Sequence, residues 1–219
     1  QDTRFLYLTL PGNQEAAMAP ADQMPNEHYR MGDRIKVLVN KVENNAKGPQ
    51  ILVSRTAPDL VKRLFEQEVP EVYDGTVEIM SISREAGDRS KIAVYTHDAD
   101  LDPVGAMVGQ RGARVQAVVN ELGGENMDIV EWVEDEAQYI ANALNPSEVT
   151  DVIFDPENDR AVTVIVPDNQ LSLAIGKKGQ NARLAARLTG FKIDIKSESE
   201  AANSLVAEAP VVVEDETNE

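Results

Sequence analysis

Two Gly-x-x-Gly tetrapeptides constrain the fold of this chain more than any other feature of its sequence. They are Gly109-Gln110-Arg111-Gly112 and Gly176-Lys177-Lys178-Gly179, and their first glycines lie 67 residues apart. The same succession of patterns surrounds each tetrapeptide: helix, strand, strand, helix, the tetrapeptide itself, helix and strand. A repeat of this length predicts two copies of one supersecondary unit, and therefore two similar small domains in tandem.

The spacing of apolar residues places the elements of each copy. In the first copy it predicts a helix from 58 to near 70, strands at 76–83 and 91–96, a helix from 103, a helix at 113–122 and a strand at 128–132. In the second it predicts helices at 134–144, 168–175 and 180–188, with strands at 149–154, 161–166 and 191–196. The joins between domains contain no Gly/Ser-rich linker, so we expect a fairly rigid array.

Short strands with turns between them precede the repeat. Residues 4–10 alternate, which places three leucines on one face of a strand and Phe5 and Tyr7 on the other. Further strands are predicted at 34–42 and 50–54, and this density of short strands indicates a small β-barrel. Because the sequence starts without methionine, directly in a strand pattern, we expect a fragment of a longer protein.

The charge of the chain is strongly negative but unevenly distributed. The 219 residues carry a formal net charge of −17, a total that argues against nucleic acid as a partner. Seven acidic residues and no basic residue lie in 197–219, which leaves 31 acidic against 21 basic residues in 1–196. We expect 197–219 to be a disordered acidic tail, outside the units that carry the glycine loops.

Composition and motif spacing exclude several classes of site. The apolar runs are far shorter than the ~18 residues that span a bilayer, so we expect a soluble, cytoplasmic protein with no membrane partner. The absence of cysteine excludes disulfides and thiolate metal sites. His28 and His97 belong to no ligand-spaced cluster, and the aspartates at 98, 100 and 102 lack the pattern of a calcium loop, so turns and helix caps are predicted there. We therefore expect no cofactor and no enzymatic activity.

The two glycine loops are predicted to bind phosphate groups. Glycine lets the backbone approach a phosphate closely, and the helix that follows each loop offers free N–H groups and a partial positive charge. Basic side chains add charge-assisted hydrogen bonds. The alternative is a plain helix–turn–helix corner with a solvated face. The predicted binding residues of the two units are Gly109, Gln110, Arg111, Gly112, Arg114, Gly176, Lys177, Lys178, Gly179, Asn181, Arg183 and Arg187.

Other phosphate-binding motifs do not fit these residues. The chain contains no Gly-x4-Gly-Lys-Ser/Thr sequence, so Lys177 is not the lysine of a nucleoside-triphosphate loop. The glycines at 105, 109 and 112 are spaced wrongly for a dinucleotide fingerprint. With helices on both sides of each loop and a strand beyond, the unit instead resembles the KH domain. That resemblance implies a Gly-x-x-Gly loop that clamps single-stranded nucleic acid, with the bases in an apolar groove. The element order matches the type II variant.

Longer stretches resemble the bacterial NusA family of transcription elongation and termination factors. They are HYRMGDRIKVLV with the following KGPQILVSRTAPDLVKRLFEQEVPEVYDGTVEIMSISREAGDRSKIAV, then DPVGAMVGQRGARVQAVVNELGGENMDIVEW and PDNQLSLAIGKKGQNARLAARLTGFKIDI. The resemblance covers about 4–196. It implies an α+β multidomain protein in which a partial OB-type barrel precedes two type II KH domains. We assign 1–56 to the barrel, 57–133 to the first KH domain, 134–196 to the second and 197–219 to the tail.

The resemblance also implies parts that we do not expect in this chain. The family's barrel has the S-one fold of a ribosomal small-subunit protein, and we expect its opening strand, and the domain that grips RNA polymerase, to lie outside this chain. In such barrels Phe5 and Tyr7 would form a stacking platform, unless they are buried against the neighbouring KH domain. His28 and Tyr29 are weaker candidates. Arg55 is expected to be structural, and Trp132 to lie in the core.

The resemblance implies a binding function rather than catalysis. We expect this segment to bind nascent single-stranded RNA and to modulate pausing, termination and antitermination by RNA polymerase, its partner through the missing domain. Other transcription factors are further candidate partners. One alternative is an accessory region of an RNA-processing enzyme such as polynucleotide phosphorylase, although that family carries a single KH domain before its barrel. Another is a ribosomal or assembly protein, which would have a basic surface.

Overall fold

A computed structural model describes residues 4–208 of the chain. The remaining parts of the sequence, including 209–219 of the predicted tail, lie outside the described residues. The described chain is a mixed α and β structure with three separate sheets. The first sheet precedes the repeat, and each copy of the repeat contains one of the other two.

The N-terminal sheet contains four short strands. Its order is β1-β2-β4-β3, with β2 parallel to β4 and the other neighbours antiparallel. This small mixed sheet is consistent with the OB-type fold. The strands are β1 (Leu6–Leu10), β2 (Gln14–Met18), β3 (Leu38–Asn45) and β4 (Gly48–Ser54).

Strand β2 was not predicted from the sequence. Its central residues Ala16 and Ala17 have low β-propensity and do not alternate with polar residues, yet both are buried. The predicted alternation of β1 is confirmed: its leucines pack against the buried cluster of Ala16, Met18 and Val53.

The two copies of the repeat have the same topology. In each sheet the first two strands are antiparallel and the third strand is parallel to the second. The first copy contains α1 (Pro58–Glu68), α2 (Pro70–Tyr73), β5 (Val77–Glu85), β6 (Arg89–Thr96), α3 (Pro103–Val108), α4 (Ala113–Glu121) and β7 (Asn126–Glu131). The second contains α5 (Glu136–Ala143), β8 (Asp151–Asp155), β9 (Asn158–Val166), α6 (Leu171–Ile175), α7 (Gln180–Thr189) and β10 (Lys192–Ser197).

The buried guanidinium of Arg55 joins the N-terminal sheet to the first copy. Arg55 is 1% exposed, and its Nε and Nη2 donate to the carboxylate of Glu27. Its Nη1 donates to the carbonyl oxygen of Lys36 at 2.8 Å, and its Nη2 donates to that of Glu121, in α4, at 2.9 Å. Since these partners lie on both sides of the join, Arg55 has the structural role expected from the sequence.

The two copies of the repeat share one buried cluster. Ala93 of β6 and Val130 of β7 belong to the same cluster as Tyr139 and Ile140 of α5, so helices of the second copy cover the sheet of the first. A buried lysine at this boundary, Lys91, donates to the carbonyl oxygen of Asn145 at 2.8 Å. Burial lowers the pKa of Lys91, while neighbouring Asp128 acts in the opposite direction. These contacts support the expected rigid array.

The start of the predicted disordered tail is helical in the structure. Helix α8 (Glu198–Glu208) follows β10 without a loop. Its first turn is a capping box: Glu200 Oε2 accepts from the N–H of Ser197 at 2.9 Å, and Ser197 Oγ accepts from the N–H of Glu200 at 3.2 Å. Thr150 also donates to Glu198, at 2.7 Å. The expectation of disorder from residue 197 was therefore wrong for these residues, because acidic composition concealed a Ser-x-x-Glu start signal.

Within residues 4–208, none of the helices is long and apolar enough to cross a membrane. The buried apolar side chains form three clusters, which pack against the three sheets.

A buried ion pair within the first copy allows a test of this packing. Arg84 and Glu125 have side chains 1% and 0% exposed, and the Glu125 carboxylate also accepts from the N–H of Gly87 at 2.6 Å. Replacement E125Q leaves the Arg84 charge buried without its counter-ion, so we expect a loss of about 3 kcal/mol of unfolding free energy in urea denaturation. The control E66Q removes a carboxylate from a more accessible pair, in which the Arg63 side chain is 61% and the Glu66 side chain 24% exposed, and we expect a much smaller shift of the urea midpoint. Equal losses in both variants would contradict a special role for the buried pair.

Candidate nucleic-acid interface

The two glycine loops have almost the same backbone conformation. The first glycines, Gly109 and Gly176, have φ/ψ of 75°/176° and 77°/172°, and the second glycines, Gly112 and Gly179, have 74°/15° and 74°/14°. All four have the positive φ that glycine adopts without steric cost. Each second glycine donates its N–H to the carbonyl oxygen of the first, at 3.2 and 3.1 Å. The sequence repeat is therefore also a repeat of local geometry.

Close packing adds a second requirement for the first glycine of each loop. A Cβ atom on Gly109 would lie 2.7 Å from Cγ of Arg114, and one on Gly176 would lie 2.8 Å from the backbone nitrogen of Asn181. At Gly176 the obstacle is the backbone of α7, which cannot rotate away. The tight turn therefore brings the start of the following helix directly against each loop.

In each loop, one exposed basic residue has a left-handed backbone conformation. Arg111 and Lys178 both have φ of 53°, although neither is glycine. Both side chains are exposed, as are those of Gln110 and Lys177. Among the described residues none of these basic groups forms a salt bridge. Positive φ at a lysine and an arginine costs on the order of 1 kcal/mol, and such conformations cluster at functional sites.

Two of the predicted phosphate contacts brace the loops from behind. Arg114 Nη1 donates to the carbonyl oxygen of Ala106 at 2.8 Å and to Glu71 at 2.9 Å. Asn181, at the equivalent position of the second copy, donates to the carbonyl oxygens of Ala174 and Leu144 at 2.9 and 3.1 Å. Asn181 is 0% exposed, which is at odds with the predicted phosphate contact. The helical period alone does not reveal that this side chain turns inward.

The other two, Arg183 and Arg187, lie beside the second loop and share a carboxylate. Arg183 Nη1 donates to the carbonyl oxygen of Lys178 at 3.0 Å, and its Nε donates to Glu85 at 2.5 Å. Arg187 Nη2 lies 3.9 Å from the same Glu85 oxygen. The hydrogen bond from Arg183 lowers the pKa of Glu85, so this group is ionised at neutral pH. Sequence analysis did not identify Glu85, which belongs to the first copy of the repeat.

An open groove runs between α3 and β7 of the first copy and α5 of the second. Its volume is about 640 Å³. Apolar side chains line it, among them Val104 of α3 and Ile129 of β7, together with amide groups such as those of Gln138 and Asn142. Such a groove beside helix and sheet edge offers flat apolar contacts and hydrogen-bonding groups to a planar ligand. In the second copy, α6 exposes Leu173 by 44% directly ahead of its glycine loop.

The aromatic pair of the N-terminal sheet is exposed. Phe5 is 48% and Tyr7 is 70% exposed, and their two-residue spacing places them on one face. Neither is buried against a KH-like unit, which removes the alternative considered above. Tyr29 instead accepts a hydrogen bond from the N–H of Met24 at 3.0 Å, and burial raises its pKa to about 12, so its role is structural. Trp132, predicted to lie in the core, is partly buried: it packs edge-on against Tyr95 and borders the shared cluster.

The aspartates around residue 100 form a turn. Asp98 Oδ1 accepts from the N–H of Asp100 at 3.0 Å, while Asp102 stands at the start of α3 without a side-chain cap hydrogen bond. No group of three or more His, Asp or Glu side chains in 4–208 is arranged to hold a metal ion.

Comparison with protein families gives two adjacent matches. The model of the NusA-like first KH domain matches residues 55–132, and that of the NusA-like second KH domain matches 136–203, through the capping box and into α8. The two copies of the repeat are therefore KH domains. A solved structure, the crystal structure of APE1850, aligns with 64% of this chain and 97% of its own at 23% identity, with a TM-score of 0.47.

Curated relatives extend the similarity to the N-terminal sheet. The transcription termination/antitermination protein NusA of Bacillus subtilis is 64% identical over 200 residues, which cover 91% of this chain and 53% of the relative. The proteins of the same name from Halalkalibacterium halodurans and Mycobacterium tuberculosis are 63% and 50% identical, over 92% and 84% of this chain and 52% and 53% of theirs. The chain spans about half the length of these relatives. With both of its KH domains matched and this level of identity, the chain belongs to the NusA family.

Proposed function

We propose that this chain is the RNA-binding segment of a transcription termination/antitermination factor and that it binds nascent single-stranded RNA. The observation that carries the proposal is the duplicated loop: two Gly-x-x-Gly turns of equal geometry, each with an exposed basic side chain and a helix start directly behind it. A phosphate placed on such a turn meets backbone N–H groups and a guanidinium or ammonium group.

The groove between the KH domains suits the bases of the same strand. Once the loop holds the phosphates, unstacked bases reach the apolar wall formed by Val104 and Ile129. The amides of Gln138 and Asn142 can donate to and accept from base edges. Because one wall of the groove belongs to the first KH domain and the other to the second, a strand in it would contact both. We infer one continuous track rather than two separate sites.

The N-terminal sheet extends this track with stacking contacts. Base–aromatic stacking is tolerant of sequence, because each base has a π-face. Phe5 and Tyr7 present two rings on one exposed face, as stacking requires. The sheet is held to the first KH domain by Arg55, so we infer that the aromatic pair keeps a defined position relative to the first loop.

RNA held in this way would act on transcription through RNA polymerase. The relatives are named for termination and antitermination, and not for a catalysed reaction, which favours a binding protein over the accessory region of an enzyme. We infer RNA polymerase as the second partner, reached through a part of the longer protein, with other transcription factors as further candidates. Pausing, termination and antitermination would then depend on how this segment holds the emerging transcript in the cytoplasm.

Charge reversal in the second loop tests the proposal directly. We expect K177D/K178D to weaken binding of a labelled single-stranded RNA of about 12 nucleotides at least tenfold, because repulsion replaces two charge-assisted contacts. The melting temperature should stay unchanged, since both side chains are exposed and aspartate tolerates the positive φ at 178.

The adjacent basic pair Lys62–Arg63 in α1 offers a control of equal charge change that is part of neither loop. K62D/R63D should lose much less affinity than the loop variant in the same fluorescence anisotropy assay. Retained affinity in K177D/K178D would assign the second KH domain a spacing role and overturn the site proposed here.

The salt dependence of affinity gives the number of phosphates contacted. Two short loops with few cations should neutralise about four to six phosphates, so log affinity against log salt should have a slope of roughly −3 to −4. Anisotropy titrations at a series of potassium chloride concentrations measure this slope. A much steeper dependence would reveal a basic surface that the loops do not account for.

Replacement of an aromatic residue tests the contribution of the N-terminal sheet. We expect Y7A to weaken the same RNA by at least about fivefold, the loss of one stacked base. Tyr73, at the end of α2, is 82% exposed and does not belong to the aromatic pair on β1, so Y73A serves as its matched control. If both variants bind like the unmodified chain, stacking on β1 does not contribute.

A further inference from the structure

The second loop is approached by a carboxylate from the other KH domain. Glu85 ends β5, at the hairpin between β5 and β6 of the first KH domain. Its Oε1 accepts from Arg183 Nε at 2.5 Å, and its Oε2 accepts from Gln180 Nε2 at 2.8 Å. Asp88 of the same hairpin accepts from Gln180 as well, at 2.7 Å. The first turn of α7 is thus tied to the first KH domain by its polar side chains.

The position of Arg183 brings this carboxylate to the loop itself. The guanidinium donates from Nη1 to the carbonyl oxygen of Lys178, inside the loop, and from Nε to Glu85. The Nη1 atom also lies 3.9 Å from where a Cβ on Gly179 would stand. One planar group therefore bridges the glycine loop and the Glu85 carboxylate, and Arg187 adds a second cation 3.9 Å from the same oxygen.

The first KH domain has no counterpart of this arrangement. The positions equivalent to Arg183 and Arg187, 67 residues earlier, are Gln116 and Asn120. These two neutral side chains hydrogen-bond to each other at 2.9 Å. The two arginines of α7 and the Glu85 carboxylate thus occur together at the second loop, whereas the ion pair beside the first loop, Arg114–Glu71, involves a different helix position and a carboxylate of the same domain.

We propose that Glu85 determines the affinity of the second loop by occupying, in the free protein, the place of an RNA phosphate on Arg183 and Arg187. This inference rests on the proposed function. A carboxylate and a phosphate both accept charge-assisted hydrogen bonds from a guanidinium, so RNA must displace Glu85 to gain these two arginines. Glu85 thereby makes binding depend on a phosphate placed to compete with it, and disfavours loosely placed polyanions.

The ion pairs of Glu85 with Arg183 and Arg187 can be replaced by contacts with RNA phosphates. The Arg183 and Arg187 side chains are 41% and 53% exposed, and ion pairs with this access to water are weak. Displacement of Glu85 would also leave the KH domains joined, because Ser81 still donates to the carbonyl oxygen of Leu188 at 2.9 Å and the shared apolar cluster remains. Loading of RNA on the second loop therefore releases the contacts of Glu85 with the arginines of α7 without separating the domains.

Variant E85Q tests this inference in the intact chain. We expect it to bind the single-stranded RNA about two- to fivefold more tightly, the factor that corresponds to removal of one partly exposed ion pair. In the unmodified chain the displaced Glu85 carboxylate stays near the two arginines and offsets part of their charge. Its removal should therefore also make the slope of log affinity against log salt steeper, by up to about 0.7 to 1.4. The matched control is D88N, which removes the same charge from the same hairpin but contacts only neutral Gln180. D88N should leave the slope unchanged.

A double-mutant cycle with R183Q identifies the group that Glu85 occupies. The loss of affinity caused by R183Q should be larger in E85Q than in the unmodified chain, because only there is the arginine free without competition. Weaker binding by E85Q, or a slope equal to that of D88N, would show that Glu85 only braces the two domains and would overturn the inference. The proposed function would fail separately, through unchanged binding in K177D/K178D. If E85Q proves unstable in thermal melts, E85D, whose carboxylate is withdrawn by one methylene, should change affinity and slope in the same direction.

Discussion

The packing of the second KH domain on the sheet of the first is the interaction on which the rest of the structure depends. Ala93 and Val130 are buried because α5, with Tyr139 and Ile140, lies over them. A sheet that presents an apolar face must bury it, and here the following domain does so. The groove between α3 and α5 and the approach of Glu85 to α7 both result from this one contact, since each combines residues of both domains.

This packing explains how an acidic chain can offer sites for RNA. Net charge governs attraction at long range, which salt screens within about 10 Å, whereas a phosphate on a glycine turn experiences the few groups around it. Around the loops, Arg111, Lys177 and Lys178 are exposed while nearby acidic groups are engaged, Glu71 by Arg114 and Glu85 by Arg183. The overall charge of −17 therefore disfavours nonspecific coating of RNA more than it disfavours binding at fitted positions.

Local periodicity was sufficient to predict the repeat, the order of its elements and the glycine loops, because all of these depend on residues that are close together in the sequence. Periodicity was insufficient where contacts with parts of the chain distant in sequence determine the local structure. Strand β2 contains two adjacent alanines of low β-propensity, and it pairs with β1 on one side and β4 on the other. The sequence predicts Asn181 as a surface residue of α7, whereas in the structure its amide donates to the carbonyl oxygens of Ala174 and Leu144 and is buried. Glu85 meets Arg183 across 98 residues of sequence, a separation that no periodic pattern reports.

The two loops share a backbone conformation but differ in the side chains around them. Their backbones remain alike because positive φ and the close approach of the next helix leave glycine as the residue that fits. The helix surface behind each loop does not require glycine. At equivalent positions of this surface, the first copy has Gln116 and Asn120 and the second copy has Arg183 and Arg187. Two added arginines would by themselves strengthen attraction to any polyanion. A carboxylate supplied by the neighbouring domain cancels that gain until a phosphate is placed well enough to compete, so the affinity of the second loop depends on how the domains are joined.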